Sequence, residues 1–464
     1  MFKFSTLQRL SPLLFCTLLV GPLFAQAQKQ VVYDSLFLRK IYDLALENGE
    51  AYENLRSLCK DVGPRLTGSP EAEMAVIWGE EVLNRYGFDL VYKQAFKAPL
   101  WQRGSRESGW LIQEDSTPYK LKLLALGFSP PTKGTLDAEV IEVQDLDALK
   151  QLNEKEVEGK VVFINQAFDQ KHIYTFEAYG GCFDMRWEGA GMAAQKGALA
   201  CIIRSLAQQS DHHPHTGTLN QSSPELVPAA AISTRDADYL QSCLKKGKVR
   251  VRLDMDCGLA GETTSHNVIA ELKGHSPSII SFGGHLDSWD VGEGAHDDGA
   301  GIVHCIEAMR ILKALNYKPR HTLRCVLFMN EESGNFGGKK YAEQALALGE
   351  QHMAAIETDR GGFMPVGFDV RGNQKQLALL RSFSKALKPY RLFKFDFGYG
   401  GVDIGPLFDA YPKMLQLGMN VVSQQYFDYH HAETDVFEAV NRRELELGAA
   451  AMAAMVYMLD QNLP

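Results

Sequence analysis

Residues 281–300 read SFGGHLDSWDVGEGAHDDGA, so that two histidines, five acids and five glycines follow directly on the apolar run Ile279–Phe282. Repulsion among so many carboxylates must be offset by water, by basic partners or by a metal. Three other clusters have the same character. HTLRCVLFMN (321–330) runs into Glu331-Glu332-Ser333-Gly334, HMAAIET (352–358) into Asp359-Arg360-Gly361-Gly362, and the C-terminal part carries Tyr429-His430-His431-Ala432-Glu433-Thr434-Asp435. Singly, each has an ordinary explanation. A Glu-Glu pair is a solvated turn, Asp297-Asp298-Gly299 a helix N-cap, His285-x-Asp287 an incidental contact, Asp359 beside Arg360 an ion pair, and His430-His431 a polar surface. Jointly, imidazoles and carboxylates at successive strand ends form the donor set that one or two divalent ions require.

The elements that must position these residues are legible as a strand–helix alternation from about Ser265. NVIAELKG, SIISFGG, HTLRCVLFMN, HMAAIET and PKMLQLG read as strands. GAGIVHCIEAMRILKAL reads as an amphipathic helix with Ile302, Ile306, Met309 and Leu312 on one stripe, and KKYAEQALAL and ELELGAAAMAAMVYML are also helical. Near-continuous apolar strands alternating with helices predict an α/β fold, a mixed, mostly parallel central sheet flanked by helices. Ligands in such sheets bind beyond the carboxyl ends of the strands, where all four clusters fall. Residues 32–96 read as helices and then a strand, with Met74, Ile77, Trp78, Val82 and Leu83 as the buried stripe of one helix. Between them lies a β-rich texture: EVIEVQDL, GKVVFINQ, ALACIIRS, PAAAIS and VRVRLDM, with one helical piece, GAGMAAQKG. The expected organisation is a leader over 1–27, a first part of the catalytic domain over 28–97, a β-rich insert over 98–257, and the remainder over 258–464.

The leader has Lys3 and Arg9, an apolar run over Leu10–Ala25, and Ala25-Gln26-Ala27 as a cleavage pattern, which marks a secretory signal peptide. The run is short for a bilayer span, so an exported protein, periplasmic or extracellular and free of the membrane after cleavage, is expected. Removing 1–27 takes away two cations and no acid, moving the net charge from −9 to −11. That balance argues against nucleic acid as a partner. The dense basic run, Lys245–Arg252, reads as a turn and a solvated hairpin edge. Of the cysteines after the leader, Cys201, Cys305 and Cys325 lie in apolar stretches as buried thiols, and Cys243 and Cys257 could pair across the hairpin.

The ordered set His285-x-Asp287, Asp297-Asp298-Gly299, Glu331-Glu332-x-Gly334, Asp359 and His431-x-x-x-Asp435 resembles the co-catalytic dizinc exopeptidases, which include secreted bacterial aminopeptidases and glutamate carboxypeptidase. GPRLTGSPEAE, EGKVVFIN and AAQKGALACIIRS extend the resemblance over the whole mature chain, and the insert is similar to a protease-associated domain. The resemblance implies two Zn2+. His285 and Asp359 would hold one, Glu332 and His431 the other, and Asp297 would bridge both. Glu331 would be the general base, and Asp287 would bond the far nitrogen of His285 and fix its tautomer. His430 occupies the position where relatives carry a Tyr that steadies the substrate carbonyl oxygen, and Val436 stands where they carry Thr. A cis peptide at Asp297–Asp298 is implied as well.

The implied activity is hydrolysis of short peptides, dipeptides with free termini in particular, with an aminopeptidase on longer peptides as the alternative. A non-catalytic, receptor-like relative would have lost ligands, whereas every position is present here. The terminus that is read, the removal of 28–45 as a pro-segment and the side-chain preference are left open. Relatives pair as homodimers. His212-His213-Pro214-His215 reads as a solvated or substrate-rim loop. Gly400, Gly401 and Asp403 lie near the substrate by resemblance, with Asp403 as a helix N-cap the equal alternative.

Overall fold

The computed structural model describes residues 34–114 and 116–464; the leader and the start of the possible pro-segment lie outside them. The strands are β1 (Leu90–Gln102), β2 (Glu107–Ile112), β3 (Tyr119–Lys120), β4 (Leu123–Ala125), β5 (Leu136–Val143), β6 (Val161–Ile164), β7 (Ala200–Arg204), β8 (Ala229–Ile232), β9 (Arg250–Met255), β10 (Gly258–Leu272), β11 (Ser276–His285), β12 (His321–Phe328), β13 (His352–Glu357), β14 (Pro365–Arg371), β15 (Lys394–Phe397) and β16 (Leu415–Val421). They form two sheets. The larger runs β1-β10-β12-β11-β13-β16-β14-β15, and the other runs β3-β2-β9-β5-β6-β7-β8-β4. β12, β11, β13 and β16 are parallel neighbours at the middle of the larger sheet, flanked by antiparallel pairings on both sides. The fold is therefore the mixed α/β architecture expected.

The middle strands are apolar on both faces because both faces are covered. Leu323, Cys325 and Leu327 of β12 point into one core, with Ala354 and Ile356 of β13. Val326, Phe328 and Ala355 point into another. Helices α1 (Pro70–Arg85), α3 (Ala300–Ala314) and α5 (Arg442–Asn462) cover the first face, and α4 (Phe336–Ala347) the second. α3 is more than amphipathic. It is buried nearly all round, since it lies between the sheet and the Ala- and Met-rich α5. A Cβ at Gly448 would lie 2.2 Å from His304 Nε2, so glycine there permits the close helix approach. On α1 the buried stripe is Ala72, Ala75, Val76, Trp78, Gly79, Val82 and Leu83, while Met74 and Ile77 are exposed, contrary to expectation. The helix is rotated so that its small residues face β10.

The second sheet carries the long helix α2 (Thr175–Gln195), between β6 and β7 in sequence. Its buried positions, including Ala178, Cys182, Met185, Arg186, Gly189 and Ala193, recur every three or four residues. They pack with Val421, Tyr426 and Phe427 of the larger unit, so the helix lies over the end of the larger sheet. Thr175 Oγ1 donates to Ser423 O at 2.8 Å and fastens its first turn there. β9 pairs with both β2 and β5, so it is not the edge expected; its inward Val251 and Leu253 are core, and Arg250 and Arg252 meet Asp137 outside. Cys243 and Cys257 are unpaired and buried in different clusters, so the suggested disulfide is absent; all the described cysteines are buried thiols.

Candidate metal centre

The register of the parallel strands sets the site. His285 lies opposite Phe328, and Gly283 opposite Glu357, so His285, Glu331–Glu332 and Asp359 all leave the sheet at one rim. His285 closes β11, and its backbone N–H donates to Asp298 Oδ2 at 3.0 Å. Asp298 is fully buried and also accepts from Gly301 N at 3.0 Å, joining the strand end to the first turn of α3. A Cβ at Gly301 would lie 1.9 Å from Thr358 O, and one at Gly284 2.2 Å from Asp298 Oδ2. The glycines of the motif let backbones close around these carboxylates. The Asp297–Asp298 peptide is cis, as the resemblance implies.

Asp297 lies at the centre. One carboxylate oxygen is 3.2 Å from His285 Nε2, and the other is 3.3 Å from His431 Nε2. Asp359 Oδ1 is 3.5 Å from His285 Nε2, and Glu332 Oε2 is 3.0 Å from His431 Nε2. Two groups of three side chains emerge, His285–Asp297–Asp359 and Asp297–His430–His431, sharing Asp297. His285 Nε2, Asp297 Oδ2, Glu332 Oε1 and Asp359 Oδ1 are shielded from solvent and have no hydrogen-bond partner. Buried lone pairs of this kind, aimed at one another, fit cations rather than a polar core.

The backbone fixes the imidazoles. Nδ1 of His431 lies 3.1 Å from Thr216 O, and Nδ1 of His285 lies 3.0 Å from the carbonyl oxygen of Asp287. Protonated Nδ1 atoms donating to these carbonyls leave each Nε2 lone pair facing the cluster. The carboxylate of Asp287 does not do this job. It is 3.8 Å from His285 Nδ1 and accepts instead from Asn330 N at 2.7 Å, Glu331 N at 3.1 Å and Thr67 Oγ1 at 3.2 Å. The main-chain carbonyl reaches the ring first, and the carboxylate is drawn to the unpaired N–H groups beyond β12.

Burial, with the neighbouring acids, pushes Glu331 and Glu332 well above the usual carboxylate range. Asp297 is held below it, against the effect of burial, chiefly by the hydrogen bond of His285. His430 is brought down to about 3 by burial, so its ring is neutral. It stacks on His431 with centroids 3.6 Å apart, its Nδ1 has no partner, and it lines the cavity.

Several residues outside the expected ligand set build the site. Asp435 accepts from His296 N at 2.7 Å and Asp297 N at 3.1 Å, clamping the acidic loop. Arg65 of the GPRLTG stretch is fully buried and donates to the carbonyls of Leu286, Glu293 and Gly294 at 2.6–2.8 Å. Arg186 and the aromatic wall of α2 were missed because only the end of that helix was recognised; an arginine in register with Ala178, Cys182 and Met185 was the available signal. His215 is no rim residue: it is buried with Nδ1 2.6 Å from His430 O, while His213 meets Glu433 at the surface. Gly400 and Gly401 line the cavity; Asp403 is buried beside them and caps no helix, since the following turn starts from Ile404 without a side-chain bond.

The cavity holds about 450 Å³ and is lined by Phe176, Tyr179, Phe183 and Trp187 of α2, by Phe427, which stacks on Tyr179, and by Tyr399. A parallel-sheet rim where imidazoles and carboxylates meet beside such a pocket fits a metal-dependent enzyme. Comparison with known proteins agrees. Residues 267–456 match the model of peptidase family M28. The chain is 32% identical over 424 residues to carboxypeptidase Q of Mus musculus, covering 89% of this chain and 87% of the relative. It is 30% identical over 458 residues to carboxypeptidase Q of Homo sapiens, covering 95% and 93%. The crystal structure of a peptidase M28 precursor from Shewanella amazonensis SB2B superposes with a TM-score of 0.87 at 32% identity, covering 94% of this chain and 99% of that one. The chain belongs to peptidase family M28. Among the described residues, no helix is long and apolar enough to cross a membrane.

Proposed function

We propose that this is an exported dizinc exopeptidase that hydrolyses short peptides, dipeptides with free termini in particular. The observation that carries the reading is the position of Asp297, with one oxygen toward His285 and the other toward His431, and with Asp359 and Glu332 completing the two sides. His285 and Asp359 would hold one Zn2+, Glu332 and His431 the other, with Asp297 shared. Zinc, when bound, supplies Lewis acidity: it polarises the scissile carbonyl and makes water acidic enough to attack at neutral pH.

The chain's own groups do the rest. Glu331 borders the cavity at the edge of the cluster, its backbone N–H held by Asp287. Its carboxylate takes the proton of the attacking water and returns it to the leaving nitrogen. His430, neutral and with a free ring nitrogen, faces the reacting carbonyl oxygen. The aromatic wall of α2 excludes water and gives the substrate side chains an apolar surface. We read the second sheet and its helices, from β2 to β9, as a protease-associated module whose contribution to catalysis is this wall; β1 continues the larger sheet through Gln102, past the boundary expected at 97.

The test is turnover of a panel of free, N-acetylated and C-amidated dipeptides by wild type and Glu331→Gln. Free dipeptides should be cleaved by wild type, and the variant should lose about 10²–10⁴-fold in kcat while keeping its metal. Undiminished turnover by the variant would remove Glu331 from its role.

A further inference from the structure

We propose that Arg186 binds the free α-carboxylate of the substrate, so that the site takes dipeptides and other short peptides by their unblocked C terminus; this rests on the peptidase reading above. Arg186 projects from α2 into the cavity wall and is only 3% exposed. No carboxylate among the described residues forms an ion pair with it, and its Nε has no hydrogen-bond partner. Nη2 donates to Tyr179 Oη at 2.7 Å. Nη1 lies 3.3 Å from His431 Nδ1, but that nitrogen is itself a donor to Thr216 O, so it offers Nη1 no lone pair. The rings of Phe183 and Tyr179 lie 5.2 and 5.6 Å from the guanidinium carbon and support its position without neutralising its charge.

A buried guanidinium without an anion is costly, and it persists where an anionic ligand completes it. The other arginine of the cavity shows the contrast. Arg360 is engaged by Asp369 at 2.8 Å, by Asn420 and by Tyr174, so its charge is already balanced within the protein. Of the acids of the cavity, Asp297, Glu332 and Asp359 face the cluster and Glu357 accepts from Val402 N and Ile404 N; none of these, nor Glu331, is paired with Arg186. Arg186 is an arginine of the cavity without an anionic partner among the described residues. A planar guanidinium suits a carboxylate in particular, and the hydroxyl of Tyr179 has its own proton left to donate to the same group.

The distances suit a C-terminal residue. Nη1 sits on the Nδ1 side of His431, whose Nε2 faces Asp297 and Glu332, so the guanidinium and the cluster are separated by the width of one imidazole. One residue step along an extended chain, roughly 3.3–3.6 Å, separates a C-terminal carboxylate from the preceding carbonyl carbon. A carboxylate on Arg186 therefore brings the last peptide bond over the cluster and leaves the C-terminal side chain against Phe183 and Trp187.

Kinetics of Ala-Leu and Ala-Leu-amide test the proposal, with wild type, Arg186→Met and Arg186→Lys at verified metal content. In wild type, amidation should raise KM on the order of 10- to 100-fold, with a smaller change in kcat. Arg186→Met should raise KM for Ala-Leu by a similar factor and suffer little further from amidation, and Arg186→Lys should recover part of the loss. Calorimetric titration of both peptides into the Glu331→Gln protein as purified gives a second readout, in which the acid should bind and the amide should not. Equal handling of acid and amide by wild type, in both measurements, overturns the role of Arg186 and leaves the peptidase reading intact. Failure of wild type to cleave either peptide counts against the peptidase reading, and the titration still decides whether the carboxylate is bound. Should Arg186→Met not fold, the comparison of acid with amide in wild type decides alone.

Discussion

Replacing Asp287 separates two roles that the residue's position beside His285 confounds. Its carboxylate is fully buried, with one oxygen accepting from Asn330 N and Glu331 N and the other from Thr67 Oγ1. Asp287→Ala strands both backbone N–H groups. At about 1–3 kcal/mol for each unsatisfied donor, the loss of stability should reach about 2–6 kcal/mol. Glu331 would also lose its mooring, and a general base displaced by about 1 Å costs on the order of 10²-fold in rate. Asp287→Asn behaves differently. Its amide oxygen can keep both N–H groups and its NH2 can donate to Thr67, so only the charge-assisted share, about 1–2 kcal/mol, is lost. Neither variant removes the main-chain carbonyl that lies 3.0 Å from His285 Nδ1, so zinc affinity should change little in Asp287→Asn. Denaturant melts, chelator competition for zinc and kcat on a free dipeptide measure the three consequences. A drop of about 10–100-fold in zinc affinity for Asp287→Asn, at near-normal stability, would refute the reasoning and return the tautomer-fixing role to the carboxylate.

Further expectations concern packing, loop clamping and pH. Gly301→Ala puts a Cβ 1.9 Å from Thr358 O and 2.3 Å from Asp298 Oδ1; denaturant melts should show a loss of about 1–3 kcal/mol or more, with lower kcat, and an unaffected enzyme would contradict the close approach of α3 to β13. Arg65→Met removes the donors to Leu286, Glu293 and Gly294, and should raise amide exchange over 286–294 and lower stability by roughly 3–5 kcal/mol; unchanged exchange would show that the loop holds without it. Away from the metal cluster, His352 and the forked Arg324 bring Glu350 down to about 2 against the effect of burial. Its folded value lies below its unfolded one, so this stabilisation is complete above about pH 4.5 and is lost as pH falls through the folded value. After allowance for solvent at a half-buried site it amounts to about 1–3 kcal/mol. Glu350→Gln should flatten the decline of stability between about pH 4.5 and 2, and an unchanged profile would deny the pairing.

The middle of the larger sheet was readable because β11, β12 and β13 are mostly apolar and buried, and each leads within three residues of its end to an acid or imidazole of the cluster. β14 and β15 escaped notice: PVGFDVR has a Pro, a Gly and an Asp among its apolar residues, and KFDF is too short to show a period. β9 looked like an edge because its partner β5 is more than a hundred residues distant, and register of that kind leaves no local trace. The same limit separates the ligand candidates from the groups that aim them. Asp287, next but one to His285, invited a side-chain bond that the main chain makes instead. Thr216 contributes only a carbonyl, and every residue has one. Arg186 falls on the buried stripe of α2, which only the whole helix shows.

The central claim is that two zinc ions share Asp297, and anomalous diffraction at the zinc edge from crystals of the protein measures this directly. The account predicts two peaks about 3.5–4 Å apart, one beside His285 and Asp359, the other beside Glu332 and His431, with both lost or weakened in Asp297→Ala. A single peak, or zinc held elsewhere, as at His212–His215, would contradict it.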